Sequence, residues 1–291
     1  MIAVFGATGQ TGSEVVRQLA SQGSPTRALV RNLQKARMLD GLDVEIVQAD
    51  LEQPATLEAA LRGAERAYFV TTGEVTGRSA DFYTAAMRAG VDHVVRLSGS
   101  FMVREPHGIH FDAWHHQAEL ALEASGLAWT HLRPSYFMQN ILIQGASGTL
   151  ALPFAGRPVN LVDVRDIAAV AVAALTGSGH ESKVYEVTGP EALTFDEVAA
   201  RLTAVTGRPF RYAPLARAEF KAMLQQWGLP EIVANDLANE YGEIGDGHPA
   251  FSAPRDTVLR LTGKPARSVE DFARDYTAQL TSPPQWGFGG A

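Results

Sequence analysis

Two constellations of residues in this sequence can do chemistry. The first is GATGQTG, which places Gly6, Gly9 and Gly12 at a G-x-x-G-x-x-G spacing. It follows the apolar run IAVFG and opens TGSEVVRQLASQG, where Val15, Val16, Leu19 and Ala20 recur at helical spacing before Gly23. A glycine loop joining a first strand to a first helix is the context in which this spacing binds a dinucleotide. Gly6 permits the tight turn, Gly9 lets backbone approach a diphosphate, and Gly12 lets helix pack on strand. Thr8, Gln10 and Thr11 complete the loop. The free N–H groups and dipole of the helix start favour the phosphate charge. Where an acidic residue after the second strand would bond the ribose hydroxyls of NAD, ALVRN has Arg31, and a guanidinium suits a 2′-phosphate. NADP(H) is therefore expected as the preferred cofactor, with NAD(H) still admitted.

The second constellation is FDAWHHQAELALEASG, which carries His115, His116 and Glu119. Phe111, Trp114, Ala118, Ala121 and Leu122 form its apolar stripe. His115 lies about 60° from Ala118 around a helix axis and flanks that stripe; His116, about 200° from Trp114, should face away and be solvated. Glu119 is one turn from His115 and is expected to bond it, fixing its tautomer and raising its pKa. Three readings of His115 stay open: a proton donor or substrate-orienting group, a polar lining of a cleft, or a metal ligand. No recognised zinc spacing joins His107, His110, His115 and His116, so no metal is expected.

These groups need a scaffold. Strand-like runs alternate with helix-like runs: IAVFG, TRALVR, DVEIVQAD, RAYFVTT, DHVVRLSGS and LAWTHLRP are separated by TGSEVVRQLASQG, NLQKARML, PATLEAALRG, RSADFYTAAMRAG and the histidine helix. That alternation predicts an α/β fold, a Rossmann-type doubly wound parallel sheet. Residues 1–134 are expected to form the NAD(P)-binding domain. Residues 135–281 are expected to form a smaller α/β substrate lobe interleaved with it, containing VDVRDIAAVAVAAL, KVYEVTG and a helix opened by a Thr194–Glu197 capping box. Residues 282–291, rich in Gly and Pro, read as a flexible tail. Strand ends should complete the cofactor crevice: Asp50 and Leu51 beside the adenine, Thr71, Thr72 and Gly73 on the path to the nicotinamide, and Ser98 facing them. Asp163 and Asp166, at the start of an apolar helix, are expected to cap it.

A net charge of -7 excludes a generic nucleic-acid or anionic-membrane binder, and 46% hydrophobic residues suffice for a core. There is no cysteine, which removes disulfides, thiolate nucleophiles and cysteine-held metal clusters. With no signal-peptide pattern and no run approaching the ~20 apolar residues of a membrane span, a cytoplasmic location is expected.

GATGQTGSEVVRQL, ALVRN, QADL, EASGLAWTHLRPSYFMQN and VDVRDIAAVAVAAL together resemble the NmrA-like branch of the atypical short-chain dehydrogenases, over nearly the whole chain. Within that branch the chain looks most similar to bacterial NAD(P)H-dependent quinone reductases and azoreductases. The resemblance implies hydride transfer from NADPH to a quinone, azo compound or similar flat aromatic acceptor, without flavin. It also implies that His115 occupies the position of a catalytic Lys in the lignan and isoflavone reductases. Typical short-chain dehydrogenases use a Tyr-x-x-x-Lys pair, and none of the seven tyrosines here has Lys four residues later. That absence counts against alcohol oxidation more than quinone reduction, whose product can be protonated by water. Arg133, in RPSYFMQN, is expected to contact a phosphate or acceptor oxygen. Tyr136, Phe137 and Asn140 are expected to line a flat pocket closed by Phe101, Met102 and Trp114. The branch also contains non-catalytic NADP-binding regulators and biosynthetic reductases of aromatic enones or imines, and these remain the alternatives. A monomer or homodimer is expected.

Overall fold

The computed structural model describes residues 1–70, 76–99, 110–247 and 253–282. The first stretch runs β1 (Ile2–Phe5), α1 (Gln10–Ser21), β2 (Thr26–Val30), a 3-10 turn (Lys35–Leu39), β3 (Glu45–Gln48), α2 (Ala55–Leu61), β4 (Arg66–Phe69), α3 (Thr76–Ala89), β5 (His93–Leu97), α4 (His110–Glu123) and β6 (Ala128–Pro134). Next come β7 (Tyr136–Phe137), α5 (Asn140–Gly145), β8 (Thr149–Leu152), β9 (Val159–Val162), α6 (Val164–Thr176) and β10 (Lys183–Val187). The last stretch holds β11 (Ala192–Leu193), α7 (Phe195–Thr206), β12 (Arg211–Pro214), α8 (Arg217–Gln226), α9 (Glu231–Gly245), α10 (Thr257–Thr262), α11 (Val269–Asp275) and α12 (Thr277–Thr281).

The chain divides into two compact units. The first comprises Met1–Pro134, Val164–Val187 and Thr257–Lys264. Its sheet has the order β10-β6-β5-β4-β1-β2-β3, and every pairing is parallel. The inner strands are largely buried, and β1 is apolar along its length. The edge strand β3 carries exposed Glu45, Ile46 and Gln48. α1 and α6 pack together on one face, tied by Gln18 Nε2 donating to the Arg165 carbonyl at 2.9 Å. α2, α3 and α4 cover the other, over a core in which Phe69 and Phe82 stack at 4.2 Å between centroids. Strand order reverses between β1 and β4, and open α/β sheets bind their ligands at the carboxyl ends of such a pair. Among the described residues, no helix is long and apolar enough to cross a membrane.

Two expectations need correction. NLQKARML forms a five-residue 3-10 turn and not a helix. Asn32 Oδ1 accepts the Gln34 N–H at 2.8 Å, and such a local side-chain bond competes with helical pairing. KVYEVTG, assigned to the smaller lobe, supplies β10, which pairs with β6 from Lys183↔Thr130 to Val187↔Pro134. Residues 164–187 and 257–264 therefore cluster with the first unit.

The second unit comprises Ser135–Asp163, Thr188–Asp256 and Pro265–Ala291. It holds two small sheets, β11-β9-β7 and β12-β8. α7 opens with the Thr194–Glu197 capping box and closes on Gly207 at φ 71°. The chain breaks between α8 and α9 at Pro230, which cannot continue a helix. An aromatic core gathers Tyr136, Phe154, Phe195 and Tyr241.

Candidate functional site

The loop between β1 and α1 is shaped by its glycines. Gly6 adopts φ 77°, and a Cβ there would lie 2.5 Å from Val70 Cγ1. A Cβ on Gly12 would lie 2.1 Å from the Gly6 carbonyl oxygen. The loop is closed by the Gly9 N–H donating to that same oxygen at 2.9 Å. Gly9 is the exposed N-cap of α1; it makes no side-chain cap, and the first turn holds no acidic residue. A Cβ on Gly9 would meet Gly6 O at 3.2 Å and, among the described residues, no other atom within 4 Å. This is a cradle of N–H groups that a diphosphate fits and that an added side chain would fill. Thr8 is partly buried and Gln10 exposed beside it. Thr11 turns inward, where its Oγ1 accepts from the Tyr68 hydroxyl at 3.1 Å and ties α1 to β4.

Arg31 is exposed one residue past β2. Its carbonyl accepts from Gln48 Nε2 at 3.0 Å, which fixes the ends of β2 and β3 together. Asp50 Oδ1 accepts the Glu52 N–H at 2.9 Å, a turn that leads into α2, while the Leu51 side chain belongs to the core. Thr71, Thr72, Gly73, Phe101 and Met102 lie outside the described residues.

The histidine helix α4 builds a second cluster in the same unit. The His115 Nδ1 is 3.0 Å from Arg96 Nη2. Arg96 is a charged residue in the middle of β5, and it is 1% exposed. Glu119 takes a two-pronged bond from Arg133, at 3.1 Å from Nε and 2.5 Å from Nη2. Burial alone would raise the Glu119 carboxyl, but the Arg133 bonds, His131 and neighbouring Ser98 bring it below its usual value. Ser98 donates its N–H to the Leu132 carbonyl at 2.7 Å; its hydroxyl makes no hydrogen bond of good geometry among the described residues. His131, stacked on Trp129, reaches Glu123 at 3.2 Å.

Three sequence expectations change here. Glu119 was expected to orient His115 and raise its pKa. It instead pairs with Arg133, whose planar fork matches a carboxylate. His115 faces Arg96, and its pKa is pushed down to about 3, by burial first and the Arg96 charge second, with Glu119 opposing weakly. Arg133, expected to reach a ligand, has its guanidinium in that ion pair. His116 is only partly solvated: it is half-buried on a helix packed against α3 and β6, and its buried Nδ1 has no hydrogen-bond partner among the described residues.

Sequence reasoning missed Arg96. The signal was present: an arginine inside DHVVRL sits in an otherwise apolar strand, and a buried charge needs a partner nearby. Glu119, Glu123 and His131 bring potential ligand atoms within 4.8 Å of one another. Arg133 already occupies the Glu119 carboxylate, so the group reads as one ion pair beside a hydrogen bond between His131 and Glu123.

Trp114 is partly buried, edge-on to Phe111 at 5.4 Å. Tyr136, Phe137 and Asn140 belong to the second unit. Tyr136 is 6% exposed inside the aromatic core, and burial holds its hydroxyl far above its usual pKa. Phe137 and Asn140 are partly buried, and Asn140 Nδ2 donates to the Tyr241 hydroxyl at 3.5 Å.

Comparison with known proteins agrees with this geometry. The chain is 39% identical over 285 residues to an NAD(P)H azoreductase of Xenophilus azovorans, covering 96% of this chain and 98% of the relative. It is 38% identical to a (4-alkanoyl-5-oxo-2,5-dihydrofuran-3-yl)methyl phosphate reductase of Streptomyces griseus, covering 95% of this chain and 98% of that one. The crystal structure of an NADPH-dependent quinone oxidoreductase from Escherichia coli, complexed with NADPH, superposes with a TM-score of 0.83 at 29% identity, covering 94% of this chain and 99% of that one. The family model for the NmrA-like family matches residues 1–260, and the chain belongs to the NmrA-like family.

Proposed function

We propose that the protein is an NADPH-dependent reductase that transfers hydride to a quinone, an azo compound or a similar flat aromatic acceptor. The observation that carries this reading is the bare glycine cradle at the start of α1, with Arg31 exposed beyond β2. Gly6, Thr8, Gly9, Gln10 and Gly12 would hold the diphosphate, and Arg31 the 2′-phosphate. When bound, the reduced nicotinamide supplies the hydride. The chain's part is to hold the acceptor against it and exclude competing geometry. Ser98, His115 and Trp114 are the groups of the first unit assigned to that task. The similarity to an azoreductase and a quinone oxidoreductase supports the acceptor class. A cysteine-free chain suits a reducing cytoplasm, and the partner is a small molecule.

The test is NADPH consumption against a panel of quinones, azo dyes and enones. Turnover with quinones or azo dyes supports the reading. Binding of NADPH without oxidation by any of them overturns it in favour of a sensor. Turnover confined to enones favours a biosynthetic reductase, a reading that the 38% relative named for an unsaturated lactone phosphate supports. Arg31→Asp is expected to lower the NADPH-to-NADH affinity ratio by on the order of tenfold or more, the loss of one charge-assisted pair. Titration of both nucleotides checks it, and an unchanged ratio removes Arg31 from the 2′-phosphate site.

A further inference from the structure

Arg96 is a fully buried cation whose Nε and Nη1 have no hydrogen-bond partner among the described residues. Its Nη2 lies 3.0 Å from His115 Nδ1. A guanidinium has five donors, no acceptor, and stays protonated. The nitrogen that faces it must therefore offer a lone pair, which leaves the other ring nitrogen to carry the proton. We propose that Arg96 is a positioning residue that fixes His115 as the neutral tautomer protonated on Nε2, making the ring a hydrogen-bond donor instead of an acid.

The surroundings agree. His115 faces Arg96 from β5 and feels Glu119 on its own helix; Tyr83 from α3 and His131 from β6 lie near that Arg96–Glu119 pair, and Arg133 from β6 holds Glu119. Among the described residues the carboxylate that acts on it is Glu119, which is already bonded to Arg133. A protonated ring would turn an N–H toward the Arg96 N–H and place two cations in contact. The depressed pKa of about 3, caused by burial and then by Arg96, follows from the same arrangement.

What the donor serves rests on the reductase reading; the tautomer does not. Hydride transfer carries two electrons and one hydrogen to the acceptor, oxidises the nicotinamide, and leaves negative charge on an acceptor oxygen or nitrogen. The His115 Nε2–H hydrogen-bonds that atom as its charge grows and keeps its proton. Water supplies the proton that completes the reduced product.

The experiment is nitrogen NMR on the full-length protein labelled with 15N-histidine, with no substrate present. Two-bond proton–nitrogen couplings show which ring nitrogen is protonated, and His115→Gln identifies the resonance among the eight histidines by its loss. The expected result is an Nε2–H ring that does not titrate between about pH 5 and 8. An Nδ1–H ring, or an imidazolium in that range, overturns the proposal. Arg96→Met removes donor and charge; the His115 pKa is then expected to rise from its depressed value, while burial, the larger cause, still holds it below about 6.5. In the same variant kcat is expected to fall on the order of tenfold with KM for NADPH unchanged, the signature of a contact made only during reaction. Arg96→Lys, which keeps a cationic donor, should recover much of both. A Met variant in which His115 keeps both the same fixed tautomer and the same pKa overturns the proposal. Should that variant not fold, the wild-type spectrum decides alone. If no acceptor is ever reduced, the tautomer result still stands; if the tautomer is wrong while quinones are reduced, this inference alone fails.

Discussion

Gly12→Ala is expected to weaken NADPH binding by on the order of 100-fold or more, about 3 kcal/mol. The new Cβ would lie 2.1 Å from the Gly6 carbonyl oxygen and 2.8 Å from its carbon, both rigid backbone. Either α1 tilts away from β1 or the loop opens, and in both cases the N–H groups of the first turn lose their aim. Overpacking against backbone should also lower stability by about 1–3 kcal/mol. Gly9→Ala separates the two effects. Gly9 has φ -82° and ψ 172°, which any residue adopts, and its Cβ would meet the Gly6 oxygen at 3.2 Å. Its tight contact with the same oxygen should lower the melting temperature far less than Gly12→Ala does, while NADPH affinity is still expected to fall, because the methyl would stand where a diphosphate approaches. Calorimetric titration and thermal melts check both. Wild-type affinity in Gly12→Ala within about twofold would remove the loop from the cofactor site.

The second large effect is on stability in acid. His93 and His131 are 3% and 0% exposed, and each has its pKa pushed down to about 4, by burial above all. In the unfolded chain they titrate near about 6.5. Between those values the unfolded chain binds more protons than the folded one, so stability rises with pH across the window and falls as pH drops below 6.5. At pH 5 each histidine costs about 2 kcal/mol on that basis. His115 adds to the loss, and so does Glu119, whose depressed pKa gives stability above the ordinary carboxyl range that is lost below it. Against a typical total of about 5–15 kcal/mol, this is a large share. Urea unfolding at pH 7.5 and pH 5 should show a much lower midpoint in acid. His131→Gln should flatten the dependence, since an amide can meet Glu123 without titrating. Equal midpoints at the two pH values would sink the argument.

Local signals in the sequence carried most of the first unit. Strand–helix alternation, the stops at Gly23 and Gly63 and the glycine loop all act within a few residues, so their spacing is their structure. What lay beyond the sequence reading was partnership across elements. Glu119 has His115 one turn away, yet its partner Arg133 stands on a neighbouring strand. Arg96 and His115 meet across a strand and a helix separated by 19 positions. Tyr136 looked like a pocket wall because its neighbours in sequence are aromatic and polar. Its real neighbours, Phe154, Phe195 and Tyr241, come from distant segments of the second unit. β10 reads in isolation as an ordinary strand, and nothing local says which sheet it joins.

The route of the chain has a consequence for how such a protein can be altered by descent or by design. The backbone passes from one unit to the other at 134/135, 163/164, 187/188, 256/257 and 264/265. A piece ending at Pro134 would lack β10 and α6, leaving β6 as a naked sheet border and α1 without its neighbour. The second unit is thus not a cassette that can be cut out or grafted at one seam. Exchanging it between relatives means replacing three separate stretches together, so the unit is more readily altered by changing residues in place.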